Sequence, residues 1–573
     1  MSSSKYNRFL PEIGSDSCRT ITSEASIYPN LQIYCHAVLI NCPISGFGDV
    51  VNETKRPSVV RHVLLSSLSN YLGKLINLGL WFVLTPFILS QLGDQAYGLW
   101  ALAGSVAAYG FLFNFGITDA ITKYVAEYHA KGENGRSQEL IATALWVNTG
   151  LGLLLIAISV LLAPSFSFVF NIAAIEQTTA MWLFLLAGVG VAITIPCTVA
   201  PAVLRGLQRF DLLNLIGVTA TLVTAGATVM VLLLGGGAIG LAMVGIVVTL
   251  LIQLISIWVI YRIAPEMRFG WYGASRSDLR ILISYSSSLF FMNLGGYLES
   301  RSDEMVIGGF LPVSEVTPYN LARRLSALPQ SLTEQFLTLI LPMASEIHSK
   351  DDAARLRSLY MISTRVTLAI FLPIGLILIV LAKPILILWV GIAYADYSYL
   401  ILILVAASLI DTSTWPAGFV LQGIAKHKPL AMMTIGAGVA NLALSILLVN
   451  RLGLIGVALG TLIPTLIVCI GFVTPYAIRV IGVSAREMYT NVLWPAIFPS
   501  IPMYIVMLVL REFTHPSSFL LISIIAAVGS LSYLAIYLFT RGNEYERDLT
   551  HRILINIINR AKLYLKLPEW SNK

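Results

Sequence analysis

The sequence predicts an all-α, polytopic membrane protein, and its composition and its pattern of apolar stretches carry this prediction. The chain has 573 residues, of which 57% are hydrophobic and 12% are charged. About a quarter of the residues of a soluble protein are charged. Apolar stretches recur about fourteen times, and most approach or exceed the roughly 20 residues that cross a bilayer as a helix. We therefore expect about fourteen transmembrane helices.

The connecting loops separate the spans and fix their orientation. We place spans near residues 63–90, 97–119, 139–163, 179–204, 212–234, 239–262, 281–310, 317–344, 360–382, 396–424, 429–450, 453–478, 491–511 and 518–540. Every second loop carries Lys or Arg, whereas the loops between them carry almost none. Positive loops stay in the cytoplasm, so both termini are predicted to be cytoplasmic. This asymmetry accounts for the net charge of +7 without nucleic-acid binding.

Four short motifs recur in order and predict an internal repeat. Asn70-x-x-Gly73 returns as Asn293-x-x-Gly296, and Tyr97-Gly-Leu returns as Tyr319-Asn-Leu. The other two pairs open at Leu204 and Leu421, and at Gly237 and Gly453. Six spans is an even number, so both copies start on the same side of the membrane. We expect two parallel six-helix bundles around a central cavity, plus two C-terminal helices.

This repeat divides the chain into five predicted segments. They are an N-terminal extension (1–60) that we expect to be disordered, a first bundle (61–263), a second bundle (264–480), two extra helices (481–540) and a cytoplasmic tail (541–573). The five cysteines are scattered without metal-ligand spacing. We expect no metal, no cofactor and no catalytic residue, because no motif for any of them is present.

A polar stripe in the first span predicts a substrate cavity. Asn70, Lys74 and Asn77 are spaced by four and three residues, which places them on one helical face. Lys74 lies near mid-membrane, where an ionisable side chain usually faces a cavity or a partner. The simpler alternative is that Lys74 pairs with an acid and holds two helices together.

Charged residues in later spans predict a gate or an ion-coupling site. The seventh and eighth spans carry Glu299, Arg301, Asp303, Glu304, Arg323 and Arg324. We expect these acids and bases to pair in the outer half of the bilayer, either as a static network or as pairs that break and reform. Glu334 matches Lys74 in depth, and Asp411 lies mid-span. Either carboxylate could carry a proton or bind sodium.

Several motifs resemble the polysaccharide transport family. They are Tyr97-Gly-Leu-Trp100, Asn114-Phe-Gly-Ile-Thr-Asp119, Lys123-Tyr-Val-Ala-Glu-Tyr and Arg205-Gly-Leu-Gln-Arg-Phe-Asp211. This family belongs to the multidrug/oligosaccharidyl-lipid/polysaccharide exporter superfamily and includes the Wzx-type O-antigen flippases. The resemblance implies export of an undecaprenyl-pyrophosphate-linked oligosaccharide across the bacterial cytoplasmic membrane by alternating access.

The resemblance also implies partners and a route for the head group. The partners would be the lipid-linked oligosaccharide, membrane lipid, a coupling proton or sodium ion, and polysaccharide assembly enzymes. A pyrophosphate is anionic, so Lys74 would lower its barrier to crossing. Arg205 and Arg209 could collect it at the cytoplasmic mouth, or they could be ordinary positive-inside residues.

Two other functions remain open from the sequence. A drug or cation antiporter of the same superfamily would need an acidic cavity in the first bundle, where this chain shows a cation and amides. A polyprenyl-linked glycosyltransferase, ligase or polymerase would need a sizeable external loop, and the external loops here are short. We therefore favour a transporter that is not an enzyme.

Overall fold

The computed structural model describes residues 57–540, except 115, 171, 268, 272 and 338. Within these limits, the side chains of residues 57–72, 283–293, 299, 300 and 335 are also outside the description. The chain divides into two compact units, Met1–Leu68 and Ser69–Lys573. Residues 57–68 of the first unit are helical. The predicted tail and nearly all of the predicted N-terminal extension lie outside the described residues.

All regular structure in the described part of the chain is helical, as predicted. The α-helices are α1 (Pro57–Ala108), α2 (Ile117–Lys131), α3 (Asn134–Val169), α4 (Gln177–Cys197), α5 (Val199–Gly206), α6 (Phe210–Leu233), α7 (Gly237–Ile263), α8 (Arg276–Phe310), α9 (Val316–Ser326), α10 (Leu328–Leu337), α11 (Ile340–Ser349), α12 (Ala353–Val380), α13 (Ala382–Val390), α14 (Ser398–Gly423), α15 (Lys428–Val468), α16 (Thr474–Ile481), α17 (Ala485–Met488), α18 (Trp494–Ile497), α19 (Ser500–Thr514) and α20 (Phe519–Phe539). Short 3₁₀ segments lie at Tyr109–Asn114, Ala174–Glu176, Val313–Glu315 and Ile392–Tyr397, and π-helical turns lie at Cys469–Val473 and Tyr489–Leu493.

Ten helical runs of the described chain are long and apolar enough to cross a membrane. Two of these runs cover two predicted spans each, because non-helical glycines interrupt α1 and α15. Gly93 has φ 73° and Gly453 has φ 56°, a backbone region that other residues rarely adopt. The two remaining predicted spans fall on α8 and on α9 to α11. The protein is therefore a multi-pass membrane protein, and the count of fourteen spans stays a prediction.

The eighth predicted span, 317–344, is not one helix. It consists of α9, α10 and α11. Pro329 and Pro342 lie in the first turns of α10 and α11. Proline lacks the backbone N–H that a continuing helix needs, so it is tolerated at the start of a new helix. The polar side chains of this segment are consequently carried by three short helices in succession.

Backbone geometry recurs at two of the four predicted repeat positions. Gly237 and Gly453 share φ 56°, and the equivalent residues Gln208 and Ala425 share φ 57°. Positive φ is uncommon in residues other than glycine, so its recurrence at matched positions supports the repeat. Superposition of the first bundle (α1–α7) on the second bundle (α8–α16), and their boundaries, stay predictions.

The last helices, α17–α20, are joined to the second bundle through α12. The buried Arg365 of α12 donates from Nη1 to the carbonyl oxygen of Asn491 at 3.2 Å. Arg511 of α19 donates to the carbonyl oxygen of Val380 at 3.1 Å. Charged donors that satisfy buried carbonyl groups hold these helices against α12 more firmly than apolar packing alone would.

Candidate functional site

Lys74 of α1 lies beside Glu334 of α10, the partner suggested by their matched depth. Lys74 Nζ and Glu334 Oε2 are 3.9 Å apart, and the two side chains are 31% and 53% exposed. This distance is at the outer limit of an ion pair, and both groups remain accessible. Asn77, one turn further along α1, donates from Nδ2 to Thr221 Oγ1 at 3.5 Å. The side chain of Asn70 lies outside the described residues.

The two arginines predicted at the cytoplasmic mouth occupy different environments. Arg205, at the end of α5, lines a cavity of about 420 Å³ in the first bundle. Its Nε is buried and has no hydrogen-bond partner among the described residues. Arg209 instead forms a bidentate ion pair with Asp211, in which both N–O distances are 3.0 Å. These hydrogen bonds raise the pKa of the Arg209 guanidinium above its ordinary value.

The role of Arg209 stays a prediction, but its surroundings differ from those of Arg205. Both partners of the pair are largely exposed, and Arg209 lines none of the described cavities. Asp211 is two residues away in the sequence, so local geometry satisfies the guanidinium before any cavity can. Arg205 has no such neighbour and keeps its side chain in the cavity.

One predicted ion pair of the seventh and eighth spans is present. Arg323 Nη1 donates to both carboxylate oxygens of Glu304, at 2.6 and 2.7 Å. The carboxylate of Glu304 is 1% exposed. Asn320 donates a further hydrogen bond to Glu304 Oε1 at 3.2 Å. A buried charge needs this degree of compensation, because desolvation otherwise exceeds the Coulombic gain.

Asp303 lies beside this pair and belongs to a buried chain of hydrogen bonds. Its Oδ2 accepts from the hydroxyls of Tyr319 at 2.5 Å and Thr461 at 2.9 Å. The amide of Asn441 donates to Thr461 Oγ1 at 3.0 Å, and Ser302 donates to Asn441 Oδ1 at 3.2 Å. Asp303 Oδ1 is buried without a hydrogen-bond partner among the described residues. These hydrogen bonds join α8, α9 and α15 around the carboxylate of Asp303, whose Oδ1 can still accept a hydrogen bond or bind a cation.

A cavity of about 470 Å³ connects Asp303 with Asp411 inside the second bundle. Asp411 Oδ2 accepts from Gln330 Nε2 and from Trp415 Nε1, each at 3.1 Å. Arg323 also lines this cavity. Two carboxylates and a guanidinium line the same cavity, so it offers acceptors for a cation together with a fixed positive charge that limits how many cations enter.

Arg324 forms no ion pair with an acid among the described side chains, and its predicted pairing stays a prediction because Glu299 is not among them. Its guanidinium carbon lies 5.1 Å from the ring centre of Trp81 and 5.8 Å from that of Trp100. Adjacent residues of a helix point about 100° apart, so Arg323 and Arg324 cannot both face the same carboxylates. Arg301 is exposed and forms no ion pair in the described part of the chain. The side chain of Glu299 lies outside it.

The two bundles meet tightly around the break at Gly93. Thr317 of α9 donates to the backbone oxygen of Asp94 at 2.6 Å. Tyr394 donates to the Asp94 carboxylate, and Trp389 Nε1 donates to the backbone oxygen of Phe82 at 2.7 Å. The rings of Phe82 and Trp389 stack with centres 5.1 Å apart. These contacts close the first bundle onto the second around Gly93.

Tyr319, Thr461, Asn441 and the two indoles were not predicted as site residues from the sequence. Tyr319 had one signal, since it is the repeat mate of Tyr97. Asn441 had another, because an amide inside an otherwise apolar span needs a polar partner. Trp81 lies beside the polar stripe of the first span, where an aromatic ring could stack on a sugar or simply pack against lipid, whereas Trp100 had no such signal because tryptophan is common at membrane interfaces without any binding role.

Comparison with known proteins places the chain in a family and a fold. The family described as "Polysaccharide biosynthesis protein" matches residues 91–399. The "Probable low-salt glycan biosynthesis flippase Agl15" of Haloferax volcanii is 24% identical over 407 residues, which is 69% of this chain and 79% of that protein.

Two groups of solved transporters share the fold at low identity. Lipid II flippase MurJ in an inward closed conformation is similar with a TM-score of 0.64 and 16% identity, covering 85% of this chain and all of that one. An inward-facing multidrug resistance MATE transporter of the MOP superfamily is similar with a TM-score of 0.58 and 17% identity, covering 72% of this chain and 94% of that one. The fold is thus that of MOP-superfamily transporters, and the chain belongs to the family of polysaccharide biosynthesis proteins.

Proposed function

We propose that this protein is a flippase that moves an undecaprenyl-pyrophosphate-linked oligosaccharide across the bacterial cytoplasmic membrane by alternating access. Its membership of a polysaccharide biosynthesis family supports a glycan substrate. The name of the Haloferax volcanii relative supports flippase activity, and a transporter fold is consistent with it. We place both termini in the cytoplasm on the loop charges alone.

The Lys74–Glu334 pair is the observation that carries this proposal. Lys74 belongs to the first bundle and Glu334 to the second, so the pair joins surfaces that must separate during alternating access. At 3.9 Å and with 31% and 53% exposure, it is weak enough to exchange partners. An incoming pyrophosphate carries more negative charge than one carboxylate and would take Lys74 from Glu334.

Arg205 supplies a second cation for the same head group. Its side chain lines the cavity of about 420 Å³ that threonines and Gln253 also line. Its Nε has no hydrogen-bond partner among the described residues, so the guanidinium keeps donor capacity for a phosphate. Arg209 is already neutralised by Asp211. We therefore assign Arg205, and not Arg209, to the substrate path.

The cavity between Asp303 and Asp411 is our proposed site for the coupling ion. Asp303 Oδ1 lacks a hydrogen-bond partner among the described residues, and the hydroxyl of Thr461 lies 2.9 Å from Oδ2. Carboxylate and hydroxyl oxygens suit sodium, and a buried carboxylate also suits a proton. Transport in vesicles with either a sodium or a proton gradient distinguishes the two.

The decisive experiment is transport by purified protein in vesicles that contain a defined lipid-linked oligosaccharide. Glycan that reaches the opposite leaflet becomes accessible to a membrane-impermeant lectin or glycosidase. We expect protein-dependent exposure that is slowed by about ten- to a hundredfold in Lys74→Ala and retained in Arg209→Gln. No exposure with any pyrophosphate-linked glycan tested would contradict the proposal.

The same acidic cavity also favours a second function, export of an organic cation in exchange for an ion. Asp303 and Asp411 would then bind the cation directly. Under that alternative, Asp411→Asn abolishes export of fluorescent cationic dyes from vesicles, and Lys74→Ala does not. Absence of dye export by the unaltered protein excludes it.

A further inference from the structure

Helix α9 carries polar side chains on two adjacent faces. Tyr319 and Arg323 are four residues apart and share one face. Thr317 and Arg324 are seven residues, or about two turns, apart and share the next. The first face, which we name the carboxylate face, contacts acids of the second bundle, and the second, which we name the closing face, contacts the first bundle.

The carboxylate face of α9 is held by short hydrogen bonds. The Tyr319 hydroxyl lies 2.5 Å from Asp303 Oδ2, and Arg323 binds both oxygens of Glu304. Asp303 and Glu304 are 2% and 1% exposed. A carboxylate that gains a proton or a cation accepts a hydrogen bond less strongly than a free carboxylate does. Ion binding at Asp303 therefore weakens the hydrogen bond that the Tyr319 hydroxyl donates to Asp303.

The closing face contacts a backbone oxygen and two indoles of the first bundle. Thr317 Oγ1 donates to the backbone oxygen of Asp94 at 2.6 Å. Arg324 lies over Trp81 and Trp100, with ring centres 5.1 and 5.8 Å away, as a cation–π contact requires. A shift or rotation of α9 by a fraction of a turn would break these contacts together, because one short helix carries them all.

Asn320 lies between the two faces and contacts both sides. Its Nδ2 donates to Glu304 Oε1 at 3.2 Å. Its Oδ1 accepts a long hydrogen bond of 3.4 Å from the hydroxyl of Tyr97, in the first bundle. A single amide thereby links the buried carboxylate pair to the neighbouring bundle.

We propose that α9 is the element that couples occupancy of the Asp303 cavity to closure of the first bundle on the second. Tyr319 is a positioning residue in this scheme, since it acts on closure through the orientation of α9. This inference rests on the ion-coupled transport proposed above, and it adds the route by which the ion site reaches the interface.

The test measures the distance between spin labels at Gln95 and Ser314, which line one recess at the junction of the bundles. Labels are placed on the full chain with its five cysteines replaced, in lipid nanodiscs. Sodium is varied at constant pH, and pH is varied at constant sodium. In the otherwise unaltered chain, we expect one of these cations to change the fraction of molecules with the short distance.

Two substitutions separate the faces of α9. In Tyr319→Phe we expect the short distance to persist. The change that the cation causes in the closed-to-open ratio should be about tenfold smaller than in the parent chain, as expected for loss of one hydrogen bond to a charged group. In Thr317→Val the closed fraction falls under every condition, while the cation response remains. Tyr533→Phe, which loses a buried hydrogen bond to Ala496 in the C-terminal helices, serves as the folding control and responds like the parent.

A Tyr319→Phe protein that keeps the full cation response would overturn the coupling role of α9. Label distances that respond to neither sodium nor pH in the parent chain would overturn it as well. Glycan transport is measured on the same preparations. If the labels respond as expected but the parent chain transports no glycan, only the proposed substrate is contradicted. If glycan is transported but Tyr319→Phe responds to the cation as the parent does, only the coupling role of α9 is contradicted.

Discussion

Replacement of Lys74 by alanine should separate transport from folding. At an effective dielectric constant of 20, charges 3.9 Å apart attract by about 4 kcal/mol. The exposure of 31% and 53% reduces this, since exposed pairs contribute about 0–1 kcal/mol. Lys74→Ala should therefore lower the free energy of unfolding by less than about 1 kcal/mol.

Transport should respond much more strongly than stability. A hydrogen bond to a charged group contributes about 1.5–3 kcal/mol, and each 1.4 kcal/mol is a factor of about ten. If Lys74 binds the pyrophosphate as it crosses, Lys74→Ala should slow flipping by about ten- to a hundredfold. Lys74→Arg should keep part of the activity, because a guanidinium also binds phosphate although its geometry differs.

Lys383 offers a matched control. Its Nζ lies 3.9 Å from Asp396, the same separation as in the Lys74 pair, but its side chain is 61% exposed. Lys383→Ala should leave flipping in vesicles within about twofold, because an exposed ion pair contributes little. Normal flipping by Lys74→Ala, or an equal loss in Lys383→Ala, would refute a cationic substrate path through Lys74.

Three further predictions follow from the fold and the buried charges. Glu304→Gln should lower the free energy of unfolding by about 3–5 kcal/mol, measured by thermal unfolding, because it leaves the charge of Arg323 buried without its partner. Adding Arg323→Met should recover most of this loss. No recovery would show that the two charges do not act as a pair. Gly98→Leu should keep the bundles apart at Gly93, because any Cβ at Gly98 overlaps the carbonyl oxygen of Val313, and unchanged short label distances would contradict this. Reporter fusions after residues 95 and 130 should report outside and inside, and the reverse result would invert the proposed direction of export.

The sequence by itself determined the membrane class and most of the helical segments, because both depend on short-range properties, although it missed the breaks within residues 317–344. Apolar length and loop charge are read residue by residue. Gly237 and Gly453 take the same positive φ because each motif dictates its own turn. Matched depth along two helices also made Glu334 a candidate partner of Lys74, although depth alone does not bring two side chains together.

Only the tertiary structure decided which polar groups meet. Arg323 and Arg324 are equivalent in the sequence, yet one binds a buried carboxylate and the other two indoles. The orientation of α9 determines which arginine faces the carboxylate and which faces the indoles. Periodicity gives the face of a side chain within its helix, but the packing of helices distant in the chain determines what that face contacts.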